Sequence, residues 1–331
     1  KVKAPLTLID EINRTPPIIQ NEFFHMCDGY IEYDGKPVTL GDGYHVTIAS
    51  ANVKSERYGG TFEMDDAILD RFSLILNIDH FPTRVKDDLE IITSPSGKNP
   101  KLSKSRQEDF TACIKEICES LKNLRDEKFD LDAYVALLYL KKGLDWCVIK
   151  KSKSLISYAI PTVCKQKNCL RLREENCGYI RPLSERTVEA VAALAPALRL
   201  VADAKKGEGE GIVTFREILE AFRLVAPYAG ILDLVWVRNS HFSNPNLALE
   251  EVIQKINHKF LEKKEEAKVA VNFALRGKLD EKIKERFKEE WGFFLELLEE
   301  INSVGQKYPH LLKQLNKSEI IKKYPFLRAL K

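Results

Sequence analysis

The sequence has no apolar run approaching 18 residues, so nothing in what is shown reads as a membrane-spanning helix. Charge of one sign is also lacking. Lys+Arg 52 against Asp+Glu 49 leaves +3, too small a surplus for a chain whose main partner is a polyanion. Methionine is scarce, at Met26 and Met64 alone, and the first residue is Lys1, so a natural start at that position is not expected. There is no signal-peptide pattern in what is shown, and the seven cysteines do not suggest a small secreted framework. A reducing, cytoplasmic setting is the expectation. The remainder is ordinary for a globular protein: 44% hydrophobic and 31% charged, in 331 residues that can hold two or three domains.

Leu6-Thr7-Leu8-Ile9 runs into Asp10-Glu11 and then, through Thr15-Pro16-Pro17, into a helical pattern. Apolar and β-branched residues bounded by charge predict a strand buried on both faces. Such a strand delivers Asp10 and Glu11 to its carboxyl end, where open α/β sheets bind ligands. In a nucleotide hydrolase the first acid of such a pair holds Mg²⁺, usually through water, and the second polarises the attacking water. The same pair also reads as a solvated strand end before a capped helix. Downstream, Thr15 as N-cap, Pro16 in the first turn and Gly29 as stop predict a helix over 16–28. Tyr30 to Leu40, turning at Asp34-Gly35, predicts a β-hairpin. A second buried strand, His45 to Ala51, ends at Asn52. A Gly59-Gly60 loop leads to a helix ending in Asp70-Arg71-Phe72, and Leu74 to Ile78 predicts a third strand.

Taken in order, these motifs resemble the C-terminal part of an AAA+ ATPase of the MoxR family. Leu8-Ile9-Asp10-Glu11-Ile12-Asn13-Arg14-Thr15-Pro16-Pro17 is similar to that family's Walker B strand and following helix, and the hairpin sits where this branch carries its insertion. Ala49-Ser50-Ala51-Asn52 resembles the sensor 1 segment, and Gly60 to Phe72 the arginine-finger helix. The close similarity covers about residues 4–82 and weakens through about 228; Val53 departs from it, standing where the family usually has proline. The resemblance implies that Asp10 helps hold Mg²⁺, that Glu11 orients or activates water, and that Asn52 bonds the γ-phosphate or that water. It implies that Arg71 reaches into the nucleotide site of an adjacent subunit. The residue-level alternative for Arg71 is an ion pair with Asp70 or another acid of its own chain.

No G-x-x-x-x-G-K-[ST] occurs in the sequence, and Lys206 to Gly211 is glycine-rich but acidic and reads as a loop. The resemblance places the phosphate-binding strand in the middle of the sheet, so an upstream segment carrying it is expected in the same protein or in an obligate partner. These residues alone are then expected to be inactive. The function implied is an ATP-driven remodeller of a client protein complex, working as a homo-oligomeric ring, commonly of six. Two alternatives stand: a non-hydrolysing adaptor that kept the fold, and another hairpin-insert motor of chelatase or helicase type. The hairpin is acidic and aromatic (Tyr30, Glu32, Tyr33, Asp34), which argues against nucleic acid.

The expected fold class is α/β, an incomplete AAA+ core with a hairpin insert over 1–82, then an all-α lid over 83–230 and a helical extension over 231–331. Apolar residues at helical spacing mark the lid, with Ser184 and Thr214 as N-caps. Leu183-Ser184-Glu185-Arg186 lies where the family carries Ser-x-Arg, which would make Arg186 the sensor 2 arginine; the plain alternative is a surface arginine. Cys147, Cys164, Cys169 and Cys177 sit in a polar setting and could furnish a structural Zn²⁺ site, or be free thiols. Cys27, Cys113 and Cys118 fall on helical apolar faces and read as core. In the extension, Leu249 to Phe260 and Ile283 to Ile301 form two apolar stripes, the mark of helix packing against helix.

Overall fold

Parallel pairing of two short apolar strands decides where the amino-terminal acids stand. The computed structural model of the protein describes residues 6–41, 44–52, 61–62, 64–78, 83–93, 111–144, 146–147, 152–153, 179–181, 183–207, 211–288 and 291–308. Strand β1 (Leu6–Ile9) pairs with β4 (Val46–Ala49), Leu6 opposite Val46 and Ile9 opposite Ala49. Between them lie a 3₁₀ turn (Ile12–Arg14), α1 (Pro17–Gln20), α2 (Glu22–Cys27) and the hairpin of β2 (Tyr30–Tyr33) and β3 (Lys36–Thr39). The hairpin turns as its sequence predicts, Asp34 and Gly35 both left-handed at φ 52° and 68°.

The single helix expected over 16–28 is instead two short ones, α1 and α2, meeting at Asn21. Thr15 does not cap it; its N–H closes the 3₁₀ turn on the Ile12 carbonyl. Pro17 holds Pro16 in an extended conformation (ψ 147°), which delays the helix by one residue.

Burial on both faces of the strand pair is not what forms. Leu6, Leu8, Val46 and Ile48 share one face and are 46, 69, 50 and 54% exposed. The opposite face is the covered one: there Thr47 Oγ1 donates to the Met26 carbonyl of α2 at 3.0 Å, and Thr7 Oγ1 meets His45 Nε2 at 2.8 Å. The predicted third strand is likewise absent, since 74–78 has no strand and Ile78 is 79% exposed. A strand exists only when a neighbour pairs its N–H and C=O groups, and none of the described strands lies beside this segment.

The rest is mostly helical. It comprises α3 (Asp66–Leu69), α4 (Val85–Thr93), α5 (Thr111–Glu127), and α6 (Leu131–Leu138) extended by a π turn (Tyr139–Gly143). The short pair β5 (Trp146–Cys147) and β6 (Ser152–Lys153) precedes α7 (Glu185–Lys206) and α8 (Phe215–Val225). Next come α9 (Leu234–Ser240), α10 (Pro245–Leu275), α11 (Glu281–Phe287) and α12 (Gly292–Lys307). Ser184 caps α7 as predicted, and Thr214 caps α8 in a reciprocal capping box with Glu217.

One hydrophobic cluster runs from Phe129 to Val304, drawing Ile218 and Phe222 of α8 together with Phe260 of α10 and Phe294 and Leu298 of α12. The aromatic stripe of the extension is packing: Phe287, Trp291 and Phe294 are fully buried. It is split between α11 and α12, however, rather than lying on one helix. Cys113 and Cys118 are exposed, contrary to their core reading, and Cys27 is half-buried. Of the described side chains of α5 only Leu124 is buried, and Ile114 and Ile117 of its apolar stripe are exposed. No described helix is long and apolar enough to cross a membrane.

Candidate functional site

Because β1 and β4 run in parallel, the residues that follow each strand emerge side by side. Ser50 N–H donates to the Ile9 carbonyl and Ile12 N–H to the Ser50 carbonyl, both at 2.9 Å, which carries the ladder past the strand ends. Glu11 is forced into the left-handed region (φ 50°, ψ 50°), a conformation that costs a residue with a side chain roughly 1–3 kcal/mol. Ser50 holds it there. Its Oγ accepts from Glu11 N–H at 2.9 Å and donates to Asp10 Oδ1 at 2.5 Å. One hydroxyl thus fixes the backbone of the second acid and the side chain of the first.

Asn52 completes the cluster. Its Nδ2 donates to Glu11 Oε1 at 2.8 Å, while Arg14 Nε lies 2.8 Å from Glu11 Oε2. Asn52 is itself set by a buried amide: Asn13 Nδ2 donates to the Asn52 carbonyl at 2.7 Å, and Asn13 Oδ1 accepts from Asn52 N–H at 3.2 Å. Asn13 is 4% exposed, so its fixed geometry becomes the geometry of Asn52. Asp10, Glu11 and Asn52 are therefore brought together as expected. Among the described residues Asp10 Oδ2 has no hydrogen-bond donor, which leaves a hard oxygen of the kind that suits Mg²⁺ directly or through water. A carboxylate beside an amide donor is an arrangement that can hold and polarise a water molecule.

Arg71 and Arg186 stand elsewhere. Arg71 Nη1 donates to the Ala67 carbonyl at 2.8 Å, its Nε lies 3.5 Å from Asp28 Oδ2, and its guanidinium sits 4.2 Å from the centre of the Phe24 ring. With 17% of its side chain exposed, it is tied to α2 of its own chain, the alternative the residues allowed, though the acid is Asp28 and not Asp70. Beside it burial pushes the Cys27 thiol up, which disfavours its thiolate form. Arg186, in the first turn of α7, lies 3.4 Å from Asp70 Oδ2 and is half-exposed. No hydrogen bond or ion pair joins either arginine to Asp10, Glu11 or Asn52 among the described residues.

Cys164, Cys169 and Cys177 lie outside the described residues, and of Cys147 only the backbone, in β5, is described. No group of three or more His, Cys, Asp or Glu able to hold a metal occurs among the described residues.

Ser50, Asn13 and Arg14 shape the site although no motif of their own marks them for it. Ser50 lies within Ala49-Ser50-Ala51-Asn52, and Asn13 and Arg14 come just after the two acids. The contacts of Ser50 and Asn13 join positions about 40 apart in the chain, a separation at which single-sequence patterns carry no signal, whereas Arg14 pairs with Glu11 only three residues away.

No protein-family model and no curated protein sequence matches this chain. Among solved structures, that of a putative ATPase from Cytophaga hutchinsonii is similar at 15% identity and a TM-score of 0.49, over 77% of this chain and 65% of that one. The chain thus spans a little under two thirds of that protein's length.

Proposed function

We propose that these residues form the C-terminal part of an AAA+ ATPase of MoxR type, which hydrolyses ATP to remodel a client protein complex. The observation that carries this reading is the bond from Asn52 Nδ2 to Glu11 Oε1, made where two parallel strands also present Asp10. In it, Asp10 would hold Mg²⁺, which would offset the negative charge of the phosphates. Glu11 accepts the proton side of the attacking water, and Asn52 orients that water or the γ-phosphate. Arg71 serves the neighbouring subunit, which requires a ring, commonly of six. The chaperone role and cytoplasmic location belong to the same proposal, as do the domain limits and four thiolates of Cys147, Cys164, Cys169 and Cys177 around a structural Zn²⁺.

The bare face of the strand pair supports an additional segment. Leu8 and Ile48 are more than half exposed, and covering the exposed part of each would stabilise by about 1–2 kcal/mol. A phosphate-binding segment, supplied upstream or by a partner chain, would cover that face and pair the residues around Leu76. Phosphate release is the test. None is expected from the 331 residues alone, and Mg²⁺-dependent turnover is expected once the phosphate-binding segment is present. Robust hydrolysis by the chain alone would contradict this reading, and so would a complete protein that releases no phosphate.

A further inference from the structure

Asp70 and Arg71 are neighbours in the turn after α3, yet their side chains leave it for different elements. Arg71 goes to α2. Asp70 crosses to the first turn of α7, where Ser184 Oγ donates to its Oδ1 at 2.6 Å and Arg186 Nη1 lies 3.4 Å from its Oδ2. Ser184 is also the N-cap of α7, its Oγ accepting from Thr187 N–H at 3.0 Å. Since the Ser184 hydrogen goes to Asp70, Thr187 Oγ1, 2.9 Å away, is the donor in that second contact. Asp caps a helix as well as Ser does, but an ionised carboxylate cannot accept from the helix amide and also donate to Asp70. A hydroxyl does both. The carboxylate of Asp70 also stands at the positive end of a 22-residue helix, which favours it there.

We infer that Asp70 is a positioning residue, a latch that fastens the first turn of α7 to the turn bearing Arg71, so that a displacement of α7 is passed to Arg71. The latch follows from the contacts alone, whereas its effect on turnover rests on the ATPase reading.

Hydrogen–deuterium exchange on the complete protein without nucleotide reads the latch. Ser184→Asp keeps a capping oxygen but sets two carboxylates against each other. It is expected to speed exchange of the first amides of α7 and of Asp70 to Phe72 by roughly ten- to a hundredfold. Adding Asp70→Asn supplies an amide that can donate to the new carboxylate, and should return the rates to within about threefold of wild type. Ser184→Thr, which keeps both bonds, should leave them unchanged. Additive effects of Ser184→Asp and Asp70→Asn, with no rescue, would overturn the latch. In ATPase assays the same rescue should appear in kcat with KM for ATP nearly constant. Restored exchange without restored kcat would overturn the transmission to Arg71. A complete protein without ATPase activity in any variant would remove the ATPase reading and the transmission with it, while the exchange result still decides the latch.

Discussion

Replacing Arg71 by alanine in the complete protein is expected to lower ATP turnover by roughly 10³–10⁵-fold, with nucleotide affinity little changed. In the single chain this arginine rests on Phe24 and Asp28, so it must be released before it can serve a neighbour. The ion pair is partly exposed and worth about 0–1 kcal/mol, and the contact with the ring about 0.5–2 kcal/mol. A rate factor of 10³–10⁵ corresponds to about 4–7 kcal/mol of transition-state stabilisation. The second quantity wins, so the resting contacts do not forbid a role between subunits. If Arg71 acts across the interface, an equal mixture of Arg71→Ala and Glu11→Gln subunits should regain activity. About a quarter of interfaces in a random ring would then pair an intact Glu11 with an intact Arg71. A mixture as inactive as its components would place Arg71 within its own subunit, as a structural residue of α2.

Glu11→Gln is expected to lower turnover by roughly 10²–10⁴-fold while ATP still binds. The amide keeps an oxygen for Asn52 Nδ2, so the local geometry survives, but it cannot take up a proton. The ion pair with Arg14 is lost as well. That pair is exposed and worth only about 0–1 kcal/mol, so stability should hardly change. The variant should therefore retain ATP and hold its client, which a pull-down would detect. Turnover at the wild-type rate would remove Glu11 from the chemistry.

Much of the site was legible in the residues themselves, because local chemistry decides it. An apolar run ending in two acids made a strand with an acidic tip, and Asp34-Gly35 made the hairpin turn. Ser184 and Thr214 capped their helices as serine and threonine do. What failed depended on neighbours. Leu74 to Ile78 has the composition of a strand but no strand beside it among the described residues. Cys113 and Cys118 have the spacing of a buried face, yet both are exposed, because burial depends on what folds against the helix and not on its own periodicity. Ser50 and Asn13 matter through partners that folding brings from far along the chain. The pairing of Asp70 with Ser184 spans 114 residues and has no local signature at all.

Mn²⁺ in place of Mg²⁺ reads directly whether the acidic tip faces a bound metal–nucleotide. Electron paramagnetic resonance of the complete protein with ATP should show about one bound Mn²⁺ per site in wild type and in Glu11→Gln. It should show a marked loss in Asp10→Ala at the same free-ion concentration. Equal Mn²⁺ binding in wild type and Asp10→Ala would contradict the proposed site.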